Sequence, residues 1–225
     1  GDEVIDYSSG VTGDDRFPNP ELSKERKGAN AFLSYNASEK INFRVNAGIQ
    51  ESYAQSAFME QTTAPLNIRY NKSNYVDLAV QANGFNVQYS LNHGVTDILA
   101  GRRFISDDKS SYAAYDFNAS NLNVEYDLNL GKLTLRPGIN YQSAVYSDMA
   151  YTGGENSGFL NGEKKLYNTG YFLRGDFKAT DKLRLIAAVR YDDYNVPDDN
   201  YTTYQFVGTY SFNDNQLLRL VYSKA

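Results

Sequence analysis

From residue 28 onward the chain alternates apolar and polar residues with a period of two, the spacing of side chains along a β-strand. In 41–50, Ile41, Phe43, Val45, Ala47 and Ile49 point one way, and Asn42, Arg44, Asn46, Gly48 and Gln50 the other. In 183–192, Leu183, Leu185, Ala187, Val189 and Tyr191 alternate with Arg184, Ile186, Ala188, Arg190 and Asp192. The pattern predicts ten strands, at 29–37, 41–50, 74–82, 84–92, 118–130, 133–146, 167–178, 183–192, 201–212 and 216–223.

The apolar phase of these ten segments comprises 54 positions, and none is charged. With 22% of the chain charged, random placement would put about twelve there. The opposite phase carries Arg44, Asp77, Glu125, Asp127, Arg136, Arg174, Asp176, Lys178, Arg184, Arg190, Asp192 and Arg219. Extending the segments by a residue or two admits Glu51, Asp116, Asp193 and Lys224, which are expected at an interface or in loops. One face is greasy and the other is wet and ionic.

The predicted connections alternate in length. Those at 37–40, 82–84, 129–132, 179–182 and 212–216 are tight and rich in Asn, Asp, Gly and Ser. Longer polar ones lie near 51–73, 93–117 and 147–166, with a shorter one at 193–200. Brief turns at one end and long loops at the other characterise a transmembrane β-barrel. Several strands run to 10 residues or more, enough for the ~9–11 needed to cross a bilayer at a tilt. A soluble sheet also alternates, so strand length and loop asymmetry carry the distinction.

Composition adds to this. Twenty Tyr and twelve Phe without Trp suit sheets and membrane interfaces. On the apolar phase Tyr35, Tyr89, Tyr126, Tyr141, Phe177, Tyr191, Phe212 and Tyr222 are expected toward strand ends, as two girdles. No apolar run approaches the length of a transmembrane helix, and a barrel would show none. A net charge of -5 with interspersed signs argues against a nucleic-acid partner. The absence of cysteine fits the outer membrane without requiring it. Mean hydropathy is -0.56, compatible with strands that meet lipid on alternate residues. Residues 1–27 are polar and acidic and read as an outer loop, with 28–225 the barrel part. Both ends read as cut, with no charged n-region or apolar h-region at the start. Pro137 removes a ladder hydrogen bond, and a bulge is expected there beside Gly138.

Candidate chemistry is sparse. His93, the single histidine, is placed in the loop after strand 84–92, with unpaired Asp97 as its nearest carboxylate along the chain. That opposes an outer-membrane protease, and no enzyme is expected. The pairs Asp14-Asp15, Asp107-Asp108, Asp192-Asp193 and Asp198-Asp199 lie in or beside predicted outer loops and lack calcium-loop spacing. No cofactor and no metal is expected. Arg102 and Arg103 read as loop charges, with an anionic ligand or lipopolysaccharide as the alternative. Tyr53, Phe58, Tyr146 and Tyr151 could stack on a ligand.

The candidate lumen-lining residues are Arg44, Arg136, Arg174, Arg184, Arg190 and Arg219. The last five either pair with carboxylates such as Glu125, Asp127 and Asp176 or, in an intact barrel, contact a plug or steer an anionic substrate. The candidate lipid-facing residues are Ile41, Phe43, Val45, Leu133, Leu135, Leu183, Leu185, Tyr204 and Phe206.

The stretches GVTGDDRFPNPELSKERKGANAFLSYN (10–36) and AAVRYDDYNVPDDNYTTYQFVGTYSFNDNQLLRLVYSKA (187–225) resemble barrel segments of TonB-dependent receptors of Bacteroidetes type. The resemblance implies a 22-stranded barrel in the bacterial outer membrane, a plug domain inside it and a TonB box. It implies active uptake of a siderophore, cobalamin, glycan or peptide. Plug and TonB box are absent from this sequence, which holds about ten strands. Its partners would be outer-membrane lipid, the missing plug, TonB and a small-molecule or glycan substrate. The alternatives are a self-contained porin- or adhesin-type barrel and a soluble β-sandwich.

Overall fold

The computed structural model describes residues 24–57, 66–98, 113–152, 158–213 and 215–224. They form one antiparallel sheet and its connections. The strands are β1 (Lys24–Ser38), β2 (Ile41–Ala57), β3 (Leu66–Ala82), β4 (Phe85–Asp97), β5 (Ala114–Tyr126), β6 (Leu128–Leu130), β7 (Leu133–Ser147), β8 (Glu163–Lys178), β9 (Leu183–Asn195), β10 (Asp198–Asn213) and β11 (Gln216–Lys224). A single helical turn, α1 (Met149–Thr152), follows β7. Each strand pairs with its neighbours in sequence, and β6 continues the line of β5 along β7. The sheet is open, with β1 and β11 at its edges.

All ten predicted segments are present, and most extend further. β2 and β3 each have 17 residues, well beyond the ~9–11 that a bilayer requires. The excess lies at the end away from the tight turns, so the long connections are shorter than the sequence indicates. The connection expected at 193–200 shrinks to Val196 and Pro197, because β9 runs to Asn195 and β10 starts at Asp198. Lys24 to Lys27, expected in an outer loop, begin β1 and pair with β2; the rest of that loop lies outside the described residues. Polar residues extend the ladder because backbone pairing, unlike burial, is indifferent to side-chain polarity.

The tight turns form where expected. Asn83 and Gly84 adopt φ of 50° and 94°, the left-handed pair that a two-residue hairpin demands and Asn-Gly supplies. Segment 118–130 is two strands, interrupted at Asp127. The expected bulge at Pro137 is not there. Glu125 pairs with Gly138 and Leu128 with Leu135, so the register is unchanged across the interruption. On the other side Pro137 pairs with Leu173 in an unbroken ladder. The missing proline N–H costs a ladder bond without inserting a residue, while on the other side the Asp127 N–H continues the β4–β5 ladder by donating to the Gly84 carbonyl at 2.8 Å. The register shifts that do occur lie in β1 between Asn36 and Ser38 and in β10 between Ser211 and Asn213.

Among the described residues only Ala113, Ala114 and Val207 form a buried hydrophobic core. Most of the remaining apolar surface is on one face of the sheet and uncovered, with Phe32, Phe172, Leu217 and Val221 on the other.

Candidate functional site

Residues paired across antiparallel strands share a face, so the registers fix both surfaces. One row runs Leu33, Val45, Leu78, Tyr89, Leu122, Tyr141, and another Leu130, Leu133, Phe177, Leu185, Gly208, Leu220. All nine candidate lipid-facing residues (Ile41, Phe43, Val45, Leu133, Leu135, Leu183, Leu185, Tyr204, Phe206) occupy this apolar face, and none is buried. Leu185 is 43% and Phe206 52% exposed, unusual for a soluble protein's large apolar residues when the neighbours are apolar too.

Aromatic side chains form two belts on this face. Near the tight turns are Tyr35, Phe43, Phe85, Tyr126, Phe177, Tyr210 and Phe212, with the ring centroids of Phe85 and Tyr126 4.5 Å apart and tilted by 47° across the strands. Further along the strands are Tyr141, Tyr171, Tyr191, Tyr204 and Tyr222, of which Tyr204 and Tyr222 meet at 5.9 Å. Tyr89 and Tyr141 are mid-strand in β4 and β7 and not at strand ends, since both strands extend beyond the predicted limits.

Charge returns to this face only beyond the predicted segments. Lys27, Glu51 and Lys72 lie side by side on β1, β2 and β3, and the same row reaches Asp116 and Glu163. The Tyr70 hydroxyl donates to Glu51 Oε1 at 3.0 Å, and the Tyr151 hydroxyl to Asp116 Oδ1 at 2.8 Å. At this fringe Lys27 and Lys165 bond to Glu25 at 2.5 Å and Glu163 at 2.8 Å. Each carboxylate bond raises its ammonium above the ordinary lysine value. His93, expected in a loop, is within β4 on the apolar face, opposite Asn74 and Asn118. The ladder carries it because Gly94, Val95, Thr96 and Asp97 also pair.

The opposite face holds all six candidate arginines. Arg136 donates to Asp127 through Nε at 2.6 Å and Nη2 at 3.1 Å, with Glu125 at 3.6 Å. Arg190 grips Asp192 through two bonds of 2.6 Å, and Arg184 bonds Asp176 through Nε at 2.8 Å and through Nη2. Arg44, Arg174 and Arg219 have no hydrogen bond or ion pair among the described residues. Asp192, expected beside an outer loop, is buried in β9 and also accepts from Asn168 at 3.1 Å.

Glycines on this face make the room. The Arg190–Asp192 pair lies across Gly170, where a Cβ would come within 2.7 Å of Asp192 Oδ1. The Phe172 ring lies on Gly138 and has the Arg190 guanidinium 5.9 Å from its centroid. The sequence marks Gly138 only as part of the bulge expected at Pro137 and gives no role to Gly170 or Phe172; the available signal is glycine inside a strand. Arg102, Arg103, Phe58, Asp14-Asp15 and Asp107-Asp108 lie outside the described residues.

At the end of β7 away from its tight turn, fully buried Asp148 accepts backbone N–H bonds from Leu160 at 2.6 Å and Gly162 at 2.9 Å. This carboxylate, also missed from sequence, ties the β7–β8 connection to the sheet. Among the described residues no group of three or more His, Cys, Asp or Glu side chains could hold a metal ion.

The sequence model of the TonB dependent receptor-like β-barrel family matches residues 4–225. No curated protein sequence matches the chain. Among solved structures, the ferric enterobactin receptor PfeA of Pseudomonas aeruginosa superposes with a TM-score of 0.61 at 10% identity, over 89% of this chain and 33% of the receptor. The copper transporter OprC gives 0.57 at 13% identity, over 85% of this chain and 35% of its own. The siderophore receptor PirA of Acinetobacter baumannii gives 0.52 at 11%, over 85% and 32%. At these identities the likeness is one of fold, and the chain spans about a third of the length of these structures. With all but its first three residues matched by the family's sequence model, the chain belongs to the TonB-dependent receptor-like β-barrel family.

Proposed function

We propose that this chain forms part of the wall of an outer-membrane receptor that takes up a scarce nutrient such as a siderophore, cobalamin or glycan. In this reading the apolar face meets lipid and the ionic face lines the lumen. Plug and TonB coupling are supplied by parts outside this chain, and outer-membrane lipid is its permanent partner. The chain contributes wall and outer connections, not chemistry on a substrate.

The observation that carries the reading is the uncovered apolar face. A soluble sheet buries one face against a second layer, because exposed apolar area costs about 25 cal/mol per Å². Among the described residues no second layer exists; α1 is a single turn that packs against the start of β5. Hydrocarbon satisfies such a face without one, and a lumen satisfies the ionic side.

Nitroxide labels at Val45, Leu135 and Leu185, with others at Gln88 and Gln205, test this in the lipid-reconstituted full-length protein. The first three are expected to collide with dissolved oxygen and the last two with a water-soluble nickel chelate. Nickel access at the three apolar positions would refute the membrane reading.

A further inference from the structure

Away from the tight turns, the ionic face is built differently from the stretch that holds the six candidate arginines. One row across the strands reads Asn121, Gln142, Asn168, Tyr194. The next row outward reads Asn92, Ala119, Ala144, Leu166. The short side chains of Ala119 and Ala144, set between the longer Asn92 and Leu166, leave a depression. With Val196 of the β9–β10 connection these residues line a cleft of about 470 Å³. That lies within the ~300–1,000 Å³ of small-molecule sites.

None of the residues that line the cleft is charged. The row that crosses it is bounded by carboxylates, Asp77 on β3 and Asp199 on β10, which repel an anion. Lys164, a step further out on β8, donates to the Asn161 carbonyl at 3.5 Å. The polar groups left over are of both kinds. Asn121 Oδ1 accepts from Asn140 at 2.7 Å, which leaves the Asn121 amide nitrogen free to donate. Buried Asn168 supports the row by donating to Asp192 at 3.1 Å. Exposed Asn92 and Gln142 make no hydrogen bond among the described residues, so each offers donors and an acceptor. Beside them Leu166 is 40% and Val196 59% exposed, and the Tyr194 ring packs T-shaped against Tyr201 at 5.8 Å.

A hydroxyl group both donates and accepts, whereas an oxyanion only accepts and an ammonium only donates. A sugar ring carries hydroxyls along its rim and C–H groups on its faces. We propose that this cleft binds an uncharged glycan, with hydroxyls on Asn92, Asn121 and Gln142 and a ring face on Leu166, Val196 and Tyr194. A free peptide would bring terminal charges for which the cleft has no partner. The cleft adjoins the β9–β10 connection, so a ligand arriving at the outer mouth meets it ahead of anything seated deeper in the lumen. The proposal rests on the ionic face being the lumen and selects, among the nutrients that reading allows, a neutral carbohydrate.

The test is an array of immobilised neutral glucans, mannans, xylans and galactans beside uronic-acid and sulfated glycans, probed with the full-length protein in a detergent without a sugar headgroup. Retention on at least one neutral glycan is expected, and calorimetry with its soluble oligosaccharide then gives the affinity. Gln142→Ala is expected to weaken binding about tenfold. Ala144→Leu fills the depression without changing charge and weakens binding as well. Gln81→Ala, on the same face beside a tight turn, leaves it within about twofold. Unchanged affinity in both Gln142→Ala and Ala144→Leu overturns the proposal, as does retention on acidic glycans alone. Binding of cyanocobalamin or of a tryptic peptide mixture that Gln142→Ala abolishes, with no neutral glycan retained, gives the cleft to another ligand and overturns it too. So does absence of neutral-glycan binding by protein whose Val45 label reports lipid, an outcome that leaves the membrane reading standing.

Discussion

Asp127 stands opposite Arg136 where the ladder along β7 is interrupted, and receives its guanidinium through bonds of 2.6 and 3.1 Å. The ion pair bridges two strands at the place where Pro137 withholds a backbone donor. Both partners are partly exposed, at 39% and 23% of their side chains, so solvent screening limits its strength.

Replacing Asp127 by Asn is therefore expected to destabilise the protein by about 1 kcal/mol. Urea unfolding in detergent reads the difference. A loss above about 3 kcal/mol would mean that the pair is far less hydrated than its exposure indicates.

Gly138 lies beneath the Phe172 ring, and a Cβ there would collide with the ring atoms. Gly138→Ala is expected to cost about 1–3 kcal/mol, because the ring must leave its place beside Arg190. Combining it with Phe172→Ala removes the clash, so the two changes should cost less together than their sum. Strict additivity in the double-mutant cycle would contradict the packing described.

Leu78 and Gln88 sit in adjacent rows on opposite faces of β3 and β4. Leu78→Arg is expected to cost about 2–4 kcal/mol in a bilayer, and Gln88→Arg less than about 1. Guanidinium unfolding from lipid vesicles measures both. Equal costs would remove the distinction between the faces.

Asp148 holds two backbone N–H groups of the β7–β8 connection from a buried position. Asp148→Ala strands both donors, with an expected cost of about 2–4 kcal/mol confined to that connection. Limited proteolysis should cut near 153–162 faster in the variant while hydrogen exchange in β1 to β4 stays unchanged. Uniformly faster exchange would show that the carboxylate supports the whole sheet.

The Lys165 ammonium, held by Glu163, is expected to titrate above its ordinary value of 10.5. A raised lysine value means that the pair's contribution is present below pH 10.5 and lost as pH rises through the higher folded value. Carbon-13 labelling of lysine side chains follows it, and Glu163→Gln should return Lys165 toward the ordinary range. An unaltered titration in that variant would place the cause elsewhere.

The β-strand period made ten segments readable, since alternate side chains must meet different solvents and so differ in polarity. The same rule hid the strand extensions: around Glu51, Asp116 and Asp193 both faces are wet, the alternation fades, and only backbone pairing continues. His93 fell on the wrong side of that boundary for the same reason. Pro137 announced a lost hydrogen bond, but whether a strand bulges or keeps its register depends on its partners, and Glu125, Leu128 and Leu173 all hold it in line.

By itself the sequence determined which side chains share a face and that one face excludes charge, because a two-residue period needs no knowledge of neighbours. It also placed six arginines together on the other face. Among the described residues, the tertiary structure alone decided that Arg136 and Arg184 meet carboxylates from across the sheet, Asp127 and Asp176, while Arg44, Arg174 and Arg219 make no hydrogen bond or ion pair. Ion pairs between strands depend on register, and register is set by pairing across the sheet.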